Sequence, residues 1–248
     1  MLAAKLTDMK PDDIKSIIPI DKVYEDTLSP AMKQIGKSLE SVAKTSRFLL
    51  APFSYLAAQH DRWERHLEKV SQRVNTENLV EGQPQIVIPT LEGLSLTYEN
   101  TLLSELFINL LANSIDKTKQ DLAHPAFPNI IKQMSHDEAV ILFHLKKQSY
   151  QIKQQSDWVE EKQLFFNKRT VSYEFPLDKL TFPQHIWLYM NHLNSLNLAG
   201  TYQVGKQEII RDKETGKQTG VYINSEKRLI EFGWLFVDAC VPDDFEAV

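Results

Sequence analysis

Between Met32 and Val74 the apolar residues recur every three to four positions. The series is Met32, Ile35, Leu39, Val42, Leu49, Phe53, Leu56, Trp63, Leu67, Val70 and Val74, with Ser46 and His60 as its two polar members. This spacing lays one apolar stripe along a helix and predicts helices packed side by side. Pro30 suits a helix start, because its missing N–H has no partner to lose in the first turn. Pro52 falls inside the run, where it removes one backbone bond and clashes with the preceding turn. The run is therefore one kinked helix or two. Gly36, Ser38, Ala43, Thr45 and Ala57 flank the stripe. Their small size predicts a wide buried face in a bundle, which is also a surface for self-association, over an isolated two-stranded coiled coil.

The remaining pattern is shorter in period. Residues 1–20 read as a weakly ordered lead-in and residues 75–88 as a linker. Pro89–Leu96 reads as a short helix. Thr101–Ile115 is a helix with a stripe of Leu102, Leu103, Leu106, Phe107, Leu110 and Leu111. His124–Gln133 predicts another short helix. Ser135 and Glu138 form a capping box, a hydroxyl and a carboxylate three residues apart, which opens a helix through Leu145. Val171, Tyr173 and Phe175 alternate with polar residues and predict a strand. Pro183–Leu198 returns to helical spacing. Two strands, Thr201–Ile210 and Thr219–Asn224, flank a turn at Asp212–Gly216, and Leu229–Cys240 closes as a helix. Helix, helix, hairpin and closing helix is a winged-helix order. The fold expectation is mainly α with a smaller α+β part: a helical domain over 21–132, then a winged-helix-like module over 133–245.

Composition narrows the chemistry. The chain has 248 residues, 8 glycines and a single cysteine, Cys240. Scarce glycine weighs against glycine-rich phosphate loops, and one cysteine cannot form an intramolecular disulfide, which points to the cytoplasm. The net charge is −5, spread as +1, −3 and −3 over residues 1–80, 81–132 and 133–248. No basic stripe of the kind that neutralises phosphates is present, so nucleic acid is disfavoured. Residues 1–19 lack the apolar core of a signal peptide. The apolar run Phe48–Ala58 is too short for a membrane span.

No zinc, nucleophile-elbow, P-loop or dinucleotide motif occurs, so no catalytic residue, metal or cofactor is expected and no small-molecule ligand is inferred. The seven histidines form no ligand set, since His185 and His192 stand two helical turns apart. If the winged-helix order served DNA, its phosphate contacts would be Lys206, Arg211, Lys213, Lys217, Lys227 and Arg228. The preceding helix carries no lysine or arginine. Lys33, Lys37, Lys44 and Arg47 precede Phe48, Phe53 and Tyr55, a pattern that can lie on an anionic membrane. The competing reading makes the same face bundle core.

The stretch Leu106-Phe107-Ile108-Asn109-Leu110-Leu111-Ala112-Asn113-Ser114-Ile115-Asp116, then Ala123-His124-Pro125-Ala126-Phe127 and Ile130–Ala139, resembles the Abi-alpha family, bacterial proteins named for abortive infection. Val23–Asp26, Pro30-Ala31 and Ile35–Lys37 resemble its N-terminal part. Leu196–Leu198 and residues 229–240 resemble its C-terminal part. The resemblance implies phage defence in which an infected cell stops growth or phage production before progeny emerge. The resemblance supplies no catalytic residues. With no catalytic motif in the chain, the expected function is that of a non-enzymatic protein acting through protein contacts, and the Lys33–Leu56 pattern would place it at most peripherally at the inner membrane. The motif residues Asn109, Asn113, His124, Pro125, Phe127, Ser135 and Glu138 read as structural, with Pro125 opening a helix and the two asparagines bonding the loop that follows. The alternative function is a winged-helix DNA-binding regulator.

Overall fold

A computed structural model describes residues 60–245. These hold seven α-helices: α1 (His60–Ser71), α2 (Pro84–Ser95), α3 (Leu102–Ser114), α4 (Phe127–Gln133), α5 (His136–Lys147), α6 (Ile186–Ser195) and α7 (Glu231–Cys240). Five strands form one antiparallel sheet: β1 (Tyr150–Val159), β2 (Leu164–Tyr173), β3 (Ala199–Gln203), β4 (Glu208–Arg211) and β5 (Gln218–Leu229).

The expected mainly α fold, a helical bundle followed by a winged-helix module, is overturned. Strand makes up 24% of the described region against 48% helix, and the five strands form a single sheet. The difference arises chiefly at residues 150–173, two ten-residue strands where only Val171–Phe175 alternated visibly. Most of the Met32–Val74 stripe lies outside the described residues, so the bundle it predicted is not seen.

β5 is the axis of the sheet. β1 runs along one edge of it, from Tyr150 opposite Lys227 to Asp157 opposite Gly220. β3 and β4 share the other edge end to end, opposite Leu229–Ser225 and Tyr222–Gln218. The expected strand Thr201–Ile210 is thus two strands, broken at Gly205, whose φ of +69° favours glycine. β2 hangs on β1 alone, with two register shifts that bend the hairpin.

The helices surround α3. Leu102, Leu106, Phe107, Ile108, Leu110 and Leu111 are all buried, so this helix is apolar on nearly every side and sits at the centre of the core. Thr101 caps it with a capping box through Ser104. α2 starts at Pro84, nine residues into the expected linker, and contains Pro89. Pro84 occupies the first turn, where a proline loses nothing. The hydroxyl of Thr90 donates to the Ile86 carbonyl at 2.6 Å beside the Pro89 break. Gly93 lets α2 approach Phe107, and a Cβ there would overlap the ring. Gly233 does the same for α7, whose backbone lies against the Leu198 carbonyl. One apolar cluster runs from Val70 on α1 through α3 to Val241 after α7, and includes Leu198, Ala199 and Leu229 at the near end of the sheet.

Candidate functional site

Glu105, Asn109 and Asn113 stand at four-residue intervals along α3 and therefore share one face. Glu105 is buried and accepts from Lys69 Nζ at 2.7 Å and from the Arg73 guanidinium, both on or just after α1. Burial alone would raise its pKa, but the two cations more than offset that and hold it below the usual carboxylate value. Arg73 Nη1 also donates to Asn109 Oδ1 at 2.6 Å. The amide of Asn109 donates to the Cys240 carbonyl at 2.9 Å, and that of Asn113 to the Ala239 carbonyl at 2.8 Å. These carbonyls belong to the last turn of α7, where a helix has no internal donors. The two motif asparagines therefore clamp the end of the final helix, a partner 126 and 131 residues away, and not the loop that follows α3. Cys240 is fully buried, and burial pushes its thiol well above the ordinary value, so it is inert.

A second cluster sits at the start of α5. The Ser135–Glu138 capping box forms as the sequence predicts. Glu138 Oε1 also pairs with His192 Nδ1 on α6 at 2.6 Å. Neighbouring Asp137 accepts from the backbone N–H groups of Thr181 and Phe182 at 2.9 and 2.8 Å and from the Tyr189 hydroxyl at 3.1 Å. Its burial opposes ionisation, yet these donors win and keep its pKa low. Both carboxylates lie at a helix N-terminus, which favours negative charge. The pair fastens residues 181–192 onto α5. Glu138 orients the His192 imidazole, and among the described residues no hydroxyl or thiol bonds to its Nε2.

His124 is exposed. Its Nδ1 accepts from the Ala126 N–H at 3.1 Å, and its ring packs on Phe127 and Phe232. It closes the turn into α4. That helix begins at Phe127 with Pro128 in its first turn, so Pro125 precedes the helix instead of opening it. Phe127 is fully buried and stacks edge-on with Phe236.

The six basic residues expected to contact DNA lie on β4, on β5 and in the loops on either side of β4. Lys206 and Lys213 are exposed in loops. Arg211 Nη1 donates to the Gly216 carbonyl, Lys217 pairs with Glu160 at 3.5 Å, and Arg228 lies over the Tyr202 ring. Lys227 is buried. Of the stripe residues, Val70 is buried and Leu67 packs against the core, while Trp63 lies on α1. Met32, Ile35, Leu39, Val42, Leu49, Phe53 and Leu56 lie outside the described residues, as do Lys33, Lys37, Lys44, Arg47, Phe48 and Tyr55.

Two features escaped the sequence reading. The first is Lys227 itself, 1% exposed on β5. Its Nζ donates to Thr201 Oγ1 at 3.1 Å and stands 4.0 Å from the centroid of Trp187 and 5.5 Å from that of Tyr173. Burial, with the added repulsion of Lys168, lowers its pKa to about 8. The signal lay in β5, where Lys227 shares alternation with Val221, Ile223 and Leu229. The second is the end of the sheet distant from the helices, where two hairpin tips meet. β1 and β2 continue past the last β1–β5 pair, and their turn touches the β4–β5 turn through Glu160 and Lys217. Leu164, Phe165 and Phe166 are exposed there by 55%, 44% and 38%, with Phe165 stacked on Trp158.

Among the described residues no group of acidic, histidine or cysteine side chains is arranged to hold a metal, and no helix is long and apolar enough to cross a membrane. The geometry defines an α+β protein whose helical core is tied by buried polar clamps and whose antiparallel sheet reaches outward to an apolar tip. The model of the abortive infection alpha family matches residues 58–240, about three quarters of the chain, and the chain belongs to that family. No curated protein and no solved structure matches it. Family membership supports a role in abortive infection, a form of phage defence.

Proposed function

We propose that this protein is a non-enzymatic effector of abortive infection that acts by binding another protein through the hairpin end of its sheet. The observation that carries this reading is the exposed row Leu164, Phe165 and Phe166 on a strand paired along one edge only. Large apolar side chains gathered at the outer end of a sheet mark contact surfaces more than solvent-facing ones. Phage plating on cells expressing wild-type protein and the Phe165→Glu/Phe166→Lys variant tests it. Defence lost with an unchanged melting temperature is the expected result. Full protection by the variant would remove the hairpin end from the mechanism. The Lys33–Tyr55 pattern supports a further route through the inner membrane surface, which flotation with anionic liposomes examines directly.

A further inference from the structure

A buried ammonium normally sits beside a carboxylate, because desolvating a charge is expensive unless it is paired. Lys227 breaks that rule. An ammonium has three donors. Here one reaches Thr201 Oγ1, and the rest of the group faces the rings of Trp187 and Tyr173. No carboxylate lies within ion-pair distance of Lys227 among the described residues. Its neighbour in charge is a second cation, Lys168 on β2, whose Nζ stands 5.9 Å from the same Trp187 ring. Lys168 has no ion-pair partner among the described residues either. The Tyr173 hydroxyl is buried and bonds to nothing. Two ammonium groups without a carboxylate partner therefore lie against one tryptophan, which is 37% exposed, and the ring that carries the orphan hydroxyl lies against Lys227. The indole is the side chain that covers Lys227 from the solvent side of α6.

We propose that Lys227, Lys168 and Tyr173 form a binding site for a phosphate group, reached by displacement of the Trp187 ring. The numbers match. A phosphate or phosphomonoester carries about −1.5 to −2 charges near pH 7 and offers three strong acceptor oxygens. The site offers two positive charges and at least three donors without acceptors. Thr201 holds the Lys227 Nζ in place, and the Trp187 ring shields the site when it is empty. Buried groups with strongly perturbed charge are enriched at functional sites.

The test uses the full chain at pH 7 and constant ionic strength. Inorganic phosphate is titrated against chloride while intrinsic tryptophan fluorescence is followed, because moving an ammonium off the Trp187 face alters its emission. Trp187→Phe assigns the signal among the four tryptophans. The expected result is a saturable change with phosphate, absent in Lys227→Met and shifted at least tenfold to higher concentration in Lys168→Gln. A parallel titration with a nucleoside triphosphate separates two sources of the group. Equal affinity means a bare phosphate site, and tighter binding means a nucleotide whose base meets the exposed indole. No saturable response to either ligand, or an undiminished response in Lys227→Met, overturns the proposal. The methionine variant removes charge from a buried position, so its folding is secure, and its melting temperature verifies that.

Discussion

Replacing Lys227 by methionine should make the protein more stable at neutral pH. The lysine ordinarily titrates at 10.5, and in the folded protein burial brings it to about 8. The unfolded chain therefore holds the proton more tightly than the folded one. Each unit of difference corresponds to about 1.36 kcal/mol, so the charged lysine costs the fold about 3 kcal/mol below pH 8. The contact with Trp187 works in the other direction, by about 0.5–2 kcal/mol. Methionine keeps the length of the side chain, carries no charge and packs well against aromatic rings. The expected net gain is about 1–3 kcal/mol at pH 7. The sign of the pH dependence follows from the same inequality. Between pH 8 and 10.5 the unfolded state is protonated and the folded state is not, so wild-type stability rises across that window, while below pH 8 it stays at its reduced level. Urea unfolding at a series of pH values measures both effects. The difference between variant and wild type should be greatest below pH 8 and shrink towards pH 10.5. A less stable variant, or two curves that run parallel across the window, would refute the reasoning.

Other expectations concern the clamps and the close approaches. Asn113→Ala removes the donor to the Ala239 carbonyl and should cost about 1–3 kcal/mol, read as a fall in the thermal midpoint; no change would mean that water replaces the amide without loss. Asp137 holds its proton less tightly folded than unfolded, so its contribution is complete above its unfolded value and fades as pH falls through the acid range. Asp137→Asn should flatten the acid limb of the stability profile, and an unaltered limb would contradict that. Gly233→Ala places a Cβ inside the Leu198 carbonyl and should lower stability by about 1–3 kcal/mol or more, with α7 displaced, as judged by denaturant midpoint and near-ultraviolet circular dichroism. His66 is buried, and burial together with Arg62 brings its pKa to about 4, so wild type should lose stability between pH 6.5 and 4 and His66→Phe should lose less.

Where local rules and packing agree, the chain was legible. α3 announced itself because Thr101 caps it and its apolar residues outnumber every alternative pairing. The Ser135–Glu138 box marked the start of α5 to the residue, and the helix runs two residues past the expected Leu145. β1 was hidden because its buried face carries Gln154 and Ser156 beside Tyr150 and Ile152, so the contrast between alternate positions that identifies a strand is weak. Only the later part of α2 was legible, as the expected helix Pro89–Leu96: its first turn, with Pro84, read as linker because Pro89 looked like a helix start. The asparagine clamp depends on contacts across more than 120 residues, and no spacing rule carries that distance. Lys227 was grouped with surface cations by residue type, whereas its position in the alternation of β5 placed it inside.

β5 passes from the β4–β5 turn to Leu229 without a break, and Ile230 alone separates it from α7. At about 3.3 Å per residue its twelve residues span about 40 Å. One end of that rod lies beside the two hairpin tips, and the other runs directly into the helix whose last turn is gripped by α3. A displacement at the outer end thus has one continuous strand to travel along, straight into the helix whose last turn Asn109 and Asn113 hold. The outer end and the middle of the core are joined by a single run of chain, Gln218–Cys240, with no loop longer than one residue between them.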